Sequence, residues 1–229
     1  MKALKNIISE YKSLRWLLFL TNWLYQGIPQ ADTSKKIYKL VWLLILSVLS
    51  YMVIGSLTTN HFELHVVLSI ISGHTLNWLL NSNKMVILIH RAKYLKTSPS
   101  KLFNYLYGIR DLLTKKDWIV AAISSGGISR GTMNPHSDLD VNIIRKKGFQ
   151  NALAALFFST RERIRADLNG VPLDIIISDK IDHLLKKTDG NERYIILVDP
   201  VNFVQSFNIE SINLEDAEKL NKINDKPTL

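Results

Sequence analysis

Residues 118–141 read WIVAAISSGGISRGTMNPHSDLDV: an apolar run, a double glycine at Gly126-Gly127, a polar loop, then Asp138 and Asp140 at the start of another apolar run. A short apolar run closed by glycine predicts a strand over 118–125, and LDVNIIR predicts a second over 139–145. Side chains alternate along a strand, so Asp138 and Asp140 project to one side and Leu139 to the other. Two carboxylates on one side can share a divalent cation. Magnesium takes a few carboxylate oxygens together with the phosphate oxygens of a substrate. Gly126 and Gly127 remove side chains where a backbone would have to approach a phosphate, and their amides can donate to it.

Working outward, Ser98-Pro99-Ser100 marks a boundary, and KLFNYLYGIRDLLTKKD over 101–117 has helical periodicity, with Leu102, Tyr105, Leu106, Ile109, Leu112 and Leu113 inward. NALAALFFSTRERIRADLNG predicts a helix closed by Asn169-Gly170. VPLDIIIS over 171–178 predicts a third strand and YIILVDP a fourth, with IDHLLKKTDGNE between them as helix or loop. The polar tail from Glu210 is expected to be poorly ordered. This succession predicts an α/β (α+β) domain over 97–209, with a tail over 210–229.

Asp174 is an isolated acid in an apolar strand. Alternation puts Leu173, Ile175 and Ile177 on one face and Pro172, Asp174, Ile176 and Ser178 on the other. A buried unpaired carboxylate is costly, so Asp174 calls for a cation, a hydrogen-bond partner or solvent. Asp167 and Asp179, beside turns, fit a surface role.

These residues resemble the nucleotidyltransferase superfamily whose best-known member is DNA polymerase beta, and in particular its minimal and aminoglycoside nucleotidyltransferase branches. Gly126-Gly127, Arg130-Gly131, Pro135-His136-Ser137 and Asp138-Leu139-Asp140 fall at the family's spacing, and Asp174 stands where its third acid belongs. The likeness covers roughly residues 101–205. Gly127 holds a position where serine is common, which removes a hydroxyl donor. The resemblance implies a mixed sheet with flanking helices. Its expected ligands are a nucleoside triphosphate and magnesium, or manganese in its place, and its reaction is transfer of a nucleoside monophosphate to a hydroxyl or phosphate acceptor with release of pyrophosphate. Asp138 and Asp140 would hold metal, Asp174 would help hold metal or deprotonate the acceptor, and Ser129 and Arg130 would lie near the phosphates alongside Gly126 and Gly127.

Other roles stay open for several of these residues. Ser129 and Ser137 also fit turn caps, His136 is either a metal ligand or an exposed loop residue, Lys146 and Lys147 fit a solvated turn, and Asp199 is a turn residue or a fourth acid. A glycosyltransferase can also pair a membrane anchor with Asp-x-Asp, but it needs a nucleotide-binding strand and helix well upstream and leaves the double glycine unexplained. A non-catalytic nucleotide-binding membrane adaptor is the other alternative.

The chain has 229 residues, a formal charge of +9 and no cysteine, which excludes disulfides and thiolate chemistry and favours an anionic partner. Nucleic acid is not the expected one. Leu40 to Asn60 carries no charge over about the length needed to cross a bilayer, which predicts a transmembrane helix. A second apolar segment, about 64–82, is interrupted by His65, Gly73, His74 and Asn77, and residues 4–25 have the pattern of an interfacial helix. Residues 1–96 thus form a membrane-associated helical region. Basic residues flank the pair (Lys2, Lys5, Lys12, Arg15, Lys35, Lys36 and Lys39 before; Lys84, Arg91, Lys93, Lys96 and Lys101 after), while TNHFE between has none. The positive-inside rule then puts both ends, and the catalytic domain, on the cytoplasmic side of an inner or plasma membrane. No acid occurs between Glu63 and Asp111, so that segment suits anionic lipid headgroups. His65, His74, Asn77, Asn81 and Asn83 either bond between helices or line a polar face toward a lipid-linked substrate or partner.

Overall fold

A computed structural model describes residues 14–28, 33–57, 62–179, 193–207 and 210–224, and the chain divides into two compact units, Met1–Ser82 and Asn83–Leu229. The expected boundary near residue 96 therefore moves back to Ser82, because the segment after it is bonded to the sheet unit. Residues 4–13 of the expected interfacial helix, the 58–61 link and the 181–192 element lie outside the described residues.

The first unit contains α1 (Trp16–Tyr25), α2 (Thr33–Leu57) and α3 (Phe62–Asn81). Among the described residues, one helix, Thr33–Ser56 with mean hydropathy 2.1, is long and apolar enough to cross a membrane. Helices α2 and α3 touch backbone to backbone at Gly73. A Cβ added there would lie 2.7 Å from the Ser47 Cα, closer than atoms can approach, so only glycine permits this crossing. The buried residues of α3 are Ser69, Gly73, Asn77 and Asn81, one every four positions, while Leu64, Val67, Leu68, Ile70 and Ile71 are exposed. Small and polar residues inside with apolar ones outside invert the pattern of a helix pair in water and match packing in lipid.

The seam is hydrogen-bonded. Asn77 Nδ2 donates to the Lys39 carbonyl at 3.1 Å, Asn81 Nδ2 to Asn77 Oδ1 at 2.9 Å, and Trp78 Nε1 to Asn22 Oδ1 at 2.7 Å. His74 Nε2 donates to the Trp23 carbonyl at 2.8 Å, and Trp23 Nε1 donates to Thr75 Oγ1 at 3.1 Å. Of the polar residues expected between helices, His74, Asn77 and Asn81 are found there. Lys39, counted with the flanking basic residues, is instead 3% exposed and donates through Nζ to the Gln26 carbonyl.

The second unit is a five-stranded mixed sheet in the order β3-β2-β1-β4-β5, with β1 Ile119–Ser125, β2 Leu139–Arg145, β3 Leu173–Ser178, β4 Tyr194–Val198 and β5 Ser211–Ile212. Strand β1 is antiparallel to β2 and β4, while β2–β3 and β4–β5 are parallel. The parallel β2–β3 pair is bridged by α6 (Phe149–Leu168), as a parallel connection requires. Ahead of the sheet, α4 (Pro99–Leu113) begins where Ser98 accepts from the Lys101 amide and Pro99 needs no donor partner.

One face of the sheet carries the main core. Leu102, Leu106, Ile109 and Leu113 of α4 and Ala155 and Phe158 of α6 pack with Leu139, Val141, Ile143, Leu173 and Ile175. Alternation leaves Asp140 and Asp174 on the opposite face, with a smaller cluster of Ala121, Ile123, Ile144, Tyr194 and Val204.

The tail expected to be poorly ordered is structured through Asn224. Strand β5 pairs with β4, and α7 (Leu214–Asn224) buries Leu214 and Ala217 in the core. Its acids Glu215 and Asp216 lie in the first turn, where the helix dipole favours them. A polar composition hid a helix that needs only a narrow apolar stripe.

Candidate active site

Pairing of β1 with β2 sets Ser125 opposite Asp140, and pairing of β2 with β3 sets Asp140 opposite Asp174. The glycine turn, the second aspartate and the third acid therefore meet at one end of three adjacent strands. Parallel neighbours in register are about 4.8 Å apart, with side chains on the same face. Asp138 precedes β2 by one residue and shares that side by alternation.

Gly126 has φ +91° and ψ −149°, a conformation open essentially to glycine alone. A Cβ there would lie 3.2 Å from Asp140 Oδ2. The glycine thus lets the backbone run beside the carboxylate. Gly127 opens a four-residue helix, α5 (Gly127–Arg130), whose first amides have no partner within the helix. Helix α7 supports this turn, since Asn221 Nδ2 donates to the Ile128 carbonyl at 2.9 Å and its Oδ1 accepts from the Met133 amide at 3.3 Å.

The other expected residues divide. Ser129 is fully buried and its hydroxyl donates to the Gly126 carbonyl at 3.0 Å, so it braces the turn from within and is not aimed at a phosphate. Arg130 is exposed. Ser137 Oγ accepts from the Asn134 amide at 2.9 Å, and Asp199 accepts from the amides of Phe203 and Val204, so both are turn residues. His136 is not a free loop residue: its Nδ1 donates to the carbonyls of Ile89 and Leu95 at 3.2 and 3.1 Å. Lys146 and Lys147 are exposed. Asp167 departs from the surface role expected of it, because it pairs with Lys84 at 2.5 Å, both side chains 16% exposed.

Two residues that sequence reading did not assign to the site touch the acids. Asn83 Nδ2 donates to Asp174 Oδ1 at 2.5 Å. Its place at the end of the second apolar segment groups Asn83 with that segment's polar residues, but it lies two positions beyond α3 and meets β3 instead. His90 lies in a π-helical turn, Val86–Arg91, where the Ala92 amide bonds back five residues to Ile87 at 2.7 Å; such turns recur at functional sites. His90 Nδ1 donates to the His136 carbonyl at 3.1 Å and lies 3.5 Å from Asp138 Oδ1. Nothing in the spacing of VILIHR marks it in the sequence.

Burial raises the pKa of Asp138 above the ordinary aspartate range, His90 beside it opposes the rise, and the negative charge of Asp174 adds to it. The acids are thus close enough to repel. Among the described residues, no group of three His, Asp or Glu side chains is gathered closely enough to hold a metal as it stands. Each outer acid meets a protein group, Asp174 at Asn83 and Asp138 near His90. The donor set nevertheless suits magnesium: oxygen ligands only, two from facing strands, beside a glycine that leaves room at Asp140.

No known protein family, curated protein or solved structure matches the chain.

Proposed function

We propose that the chain is a membrane-anchored nucleotidyltransferase whose second unit is a nucleotidyltransferase-type domain of the minimal kind. The observation that carries this reading is the register of three strands, which joins the Gly126-Gly127 turn, Asp140 and Asp174 at one end of the sheet, with Asp138 two residues before Asp140. A glycine turn against paired acids is suited to in-line displacement at the α-phosphorus of a nucleoside triphosphate. The turn receives phosphate oxygens on backbone amides, and the acids take the divalent cation that accompanies them.

Asp138, Asp140 and Asp174 would hold magnesium. When bound, the ion would neutralise charge on the phosphates and stabilise the departing pyrophosphate. Asp174 is also suited to accept the proton of the attacking hydroxyl, since it stands across from Asp140 on the neighbouring strand. The inverted seam of α2 and α3 favours lipid around both helices, the basic residues on either side of the pair favour cytoplasmic ends, and a membrane anchor favours an acceptor bound to lipid or destined for a membrane-linked glycan. A reporter at each terminus should stay on the cytoplasmic side; ends on opposite sides would leave a single span.

Membranes carrying the chain should transfer label from one α-labelled triphosphate to a lipid, small-molecule or protein fraction in the presence of magnesium. Asp138→Asn, Asp140→Asn or Asp174→Asn should abolish it, since each amide keeps shape but loses the charge that binds the cation. Loss of that charge costs several kcal/mol of transition-state stabilisation, a rate loss of at least about a hundredfold. Nucleotide binding without pyrophosphate release would identify the adaptor alternative instead.

A further inference from the structure

The segment between the helical unit's last residue and α4 is bonded to the acid-bearing edge at several points. Asn83 reaches Asp174, Lys84 reaches Asp167, His90 reaches the His136 carbonyl, His136 reaches Ile89 and Leu95, and the Thr97 amide donates to the Pro135 carbonyl at 2.9 Å. Such a density of contacts makes this stretch a wall of the site. The residues facing the acids differ in kind from those facing elsewhere. Asn83, a neutral donor, takes Asp174, while Lys84, the adjacent cation, is held by Asp167 on α6. A lysine on Asp174 would occupy the place of a divalent ion by charge. An amide fixes one carboxylate oxygen and leaves the charge and the remaining lone pairs available.

We infer that Asn83 is a positioning residue of the proposed metal site, fixing the Asp174 carboxylate for a divalent cation without neutralising it. This rests on the reading of Asp138, Asp140 and Asp174 as a magnesium site. The physical reason is that a ligating carboxylate needs an outer partner to hold its orientation. Removing such a partner costs about 10–100-fold in metal affinity. Isolated in an apolar strand, Asp174 has neighbours Leu173 and Ile175 in the core and so receives no such partner from within β3.

The test is manganese binding to the full chain in lipid nanodiscs, read from the spectrum of free Mn2+ by electron paramagnetic resonance, with thermal melting in chelator as a fold control. Asn83→Leu keeps the size but removes the donor, and should weaken Mn2+ binding by about tenfold. Asn83→Gln keeps a neutral amide donor, and should retain clearly more of the natural chain's Mn2+ affinity than Asn83→Leu. A residue that only braces the fold would lower affinity in both variants or in neither. Affinity unchanged in Asn83→Leu, or lowered equally in both, overturns the inference while leaving the metal site standing. If the natural chain binds no Mn2+ and Asp140→Asn changes nothing, the metal-site reading fails and the inference with it. Should Asn83→Leu fail to fold, Asn83→Ala removes the same donor with less bulk and takes its place: about the same loss of Mn2+ affinity is expected, and unchanged affinity overturns the inference.

Discussion

Replacing Gly126 by alanine tests the turn on which the site depends. At φ +91° and ψ −149° an alanine is strained by about 1–3 kcal/mol. Its Cβ would also meet Asp140 Oδ2 at 3.2 Å, so the carboxylate must give by a few tenths of an ångström. Gly127, one residue on, is the internal control. Its φ is not positive, and the nearest atoms to an added Cβ, Ser137 Oγ and the Thr132 carbonyl oxygen, lie at 3.6 Å, which is ordinary contact. Gly127→Ala should be neutral or stabilising by up to about 1 kcal/mol through reduced freedom of the unfolded chain. The two alanines should therefore differ by about 1–4 kcal/mol, or roughly 2–16 °C in the melting of the sheet unit. Denaturation followed by near-ultraviolet circular dichroism, with triphosphate transfer measured in parallel, reads both effects. Gly126→Ala should lose stability and activity together, and Gly127→Ala should keep both, since its Cβ makes only ordinary contacts. Equal melting and equal transfer in the two alanine variants would refute the assigned roles of the turn.

Asp167→Asn should destabilise the sheet unit by about 1–3 kcal/mol, because it leaves the half-buried Lys84 ammonium without the carboxylate it meets at 2.5 Å; Asp167→Asn with Lys84→Met should recover part of that loss in thermal melting, and no recovery sinks the explanation. Glu162 is fully buried, and burial raises its pKa above the ordinary glutamate value of about 4.3, so its contribution to stability is complete below that value and is lost as pH rises through the higher folded one. Melting of Glu162→Gln should accordingly gain on the natural chain from acid to neutral pH, with Arg165, 34% exposed, left to solvent; the opposite trend would show that the Arg165 pair at 2.9 Å outweighs burial. Gly73→Ala should disrupt the α2–α3 hairpin while Gly55→Ala, which meets nothing within 4 Å, should not; equal resistance to proteolysis in lipid would contradict the close crossing.

What the sequence disclosed, and what it withheld, follows from the range over which each signal acts. Residues 139–145 form a strand with the expected ends, and the alternation of Leu173, Asp174 and Ile175 assigns each side chain to its observed face, because a period of two is a local property that burial on one side enforces. The glycine turn was legible for the same reason, since a backbone angle reserved for glycine leaves its mark at a single position. Ser129 was not: a serine beside a phosphate-type turn and a serine bracing that turn have the same spacing, and only the burial of its hydroxyl against Gly126 separates them. Asn83 lies 91 positions from Asp174 in the chain and was read with the helix it follows, whose polar residues do face inward. No periodicity connects a helix end to a strand so distant; the link exists because the chain leaving α3 folds along the edge of β3. The same holds for Asn221, whose two bonds to the loop of the glycine turn come from a tail that composition alone marks as loose. The acids could be found by pattern because they act at short range along neighbouring strands. Residues that hold those acids in place come from segments remote in sequence, so the parts of the site that decide its precision are the parts a linear reading passes over.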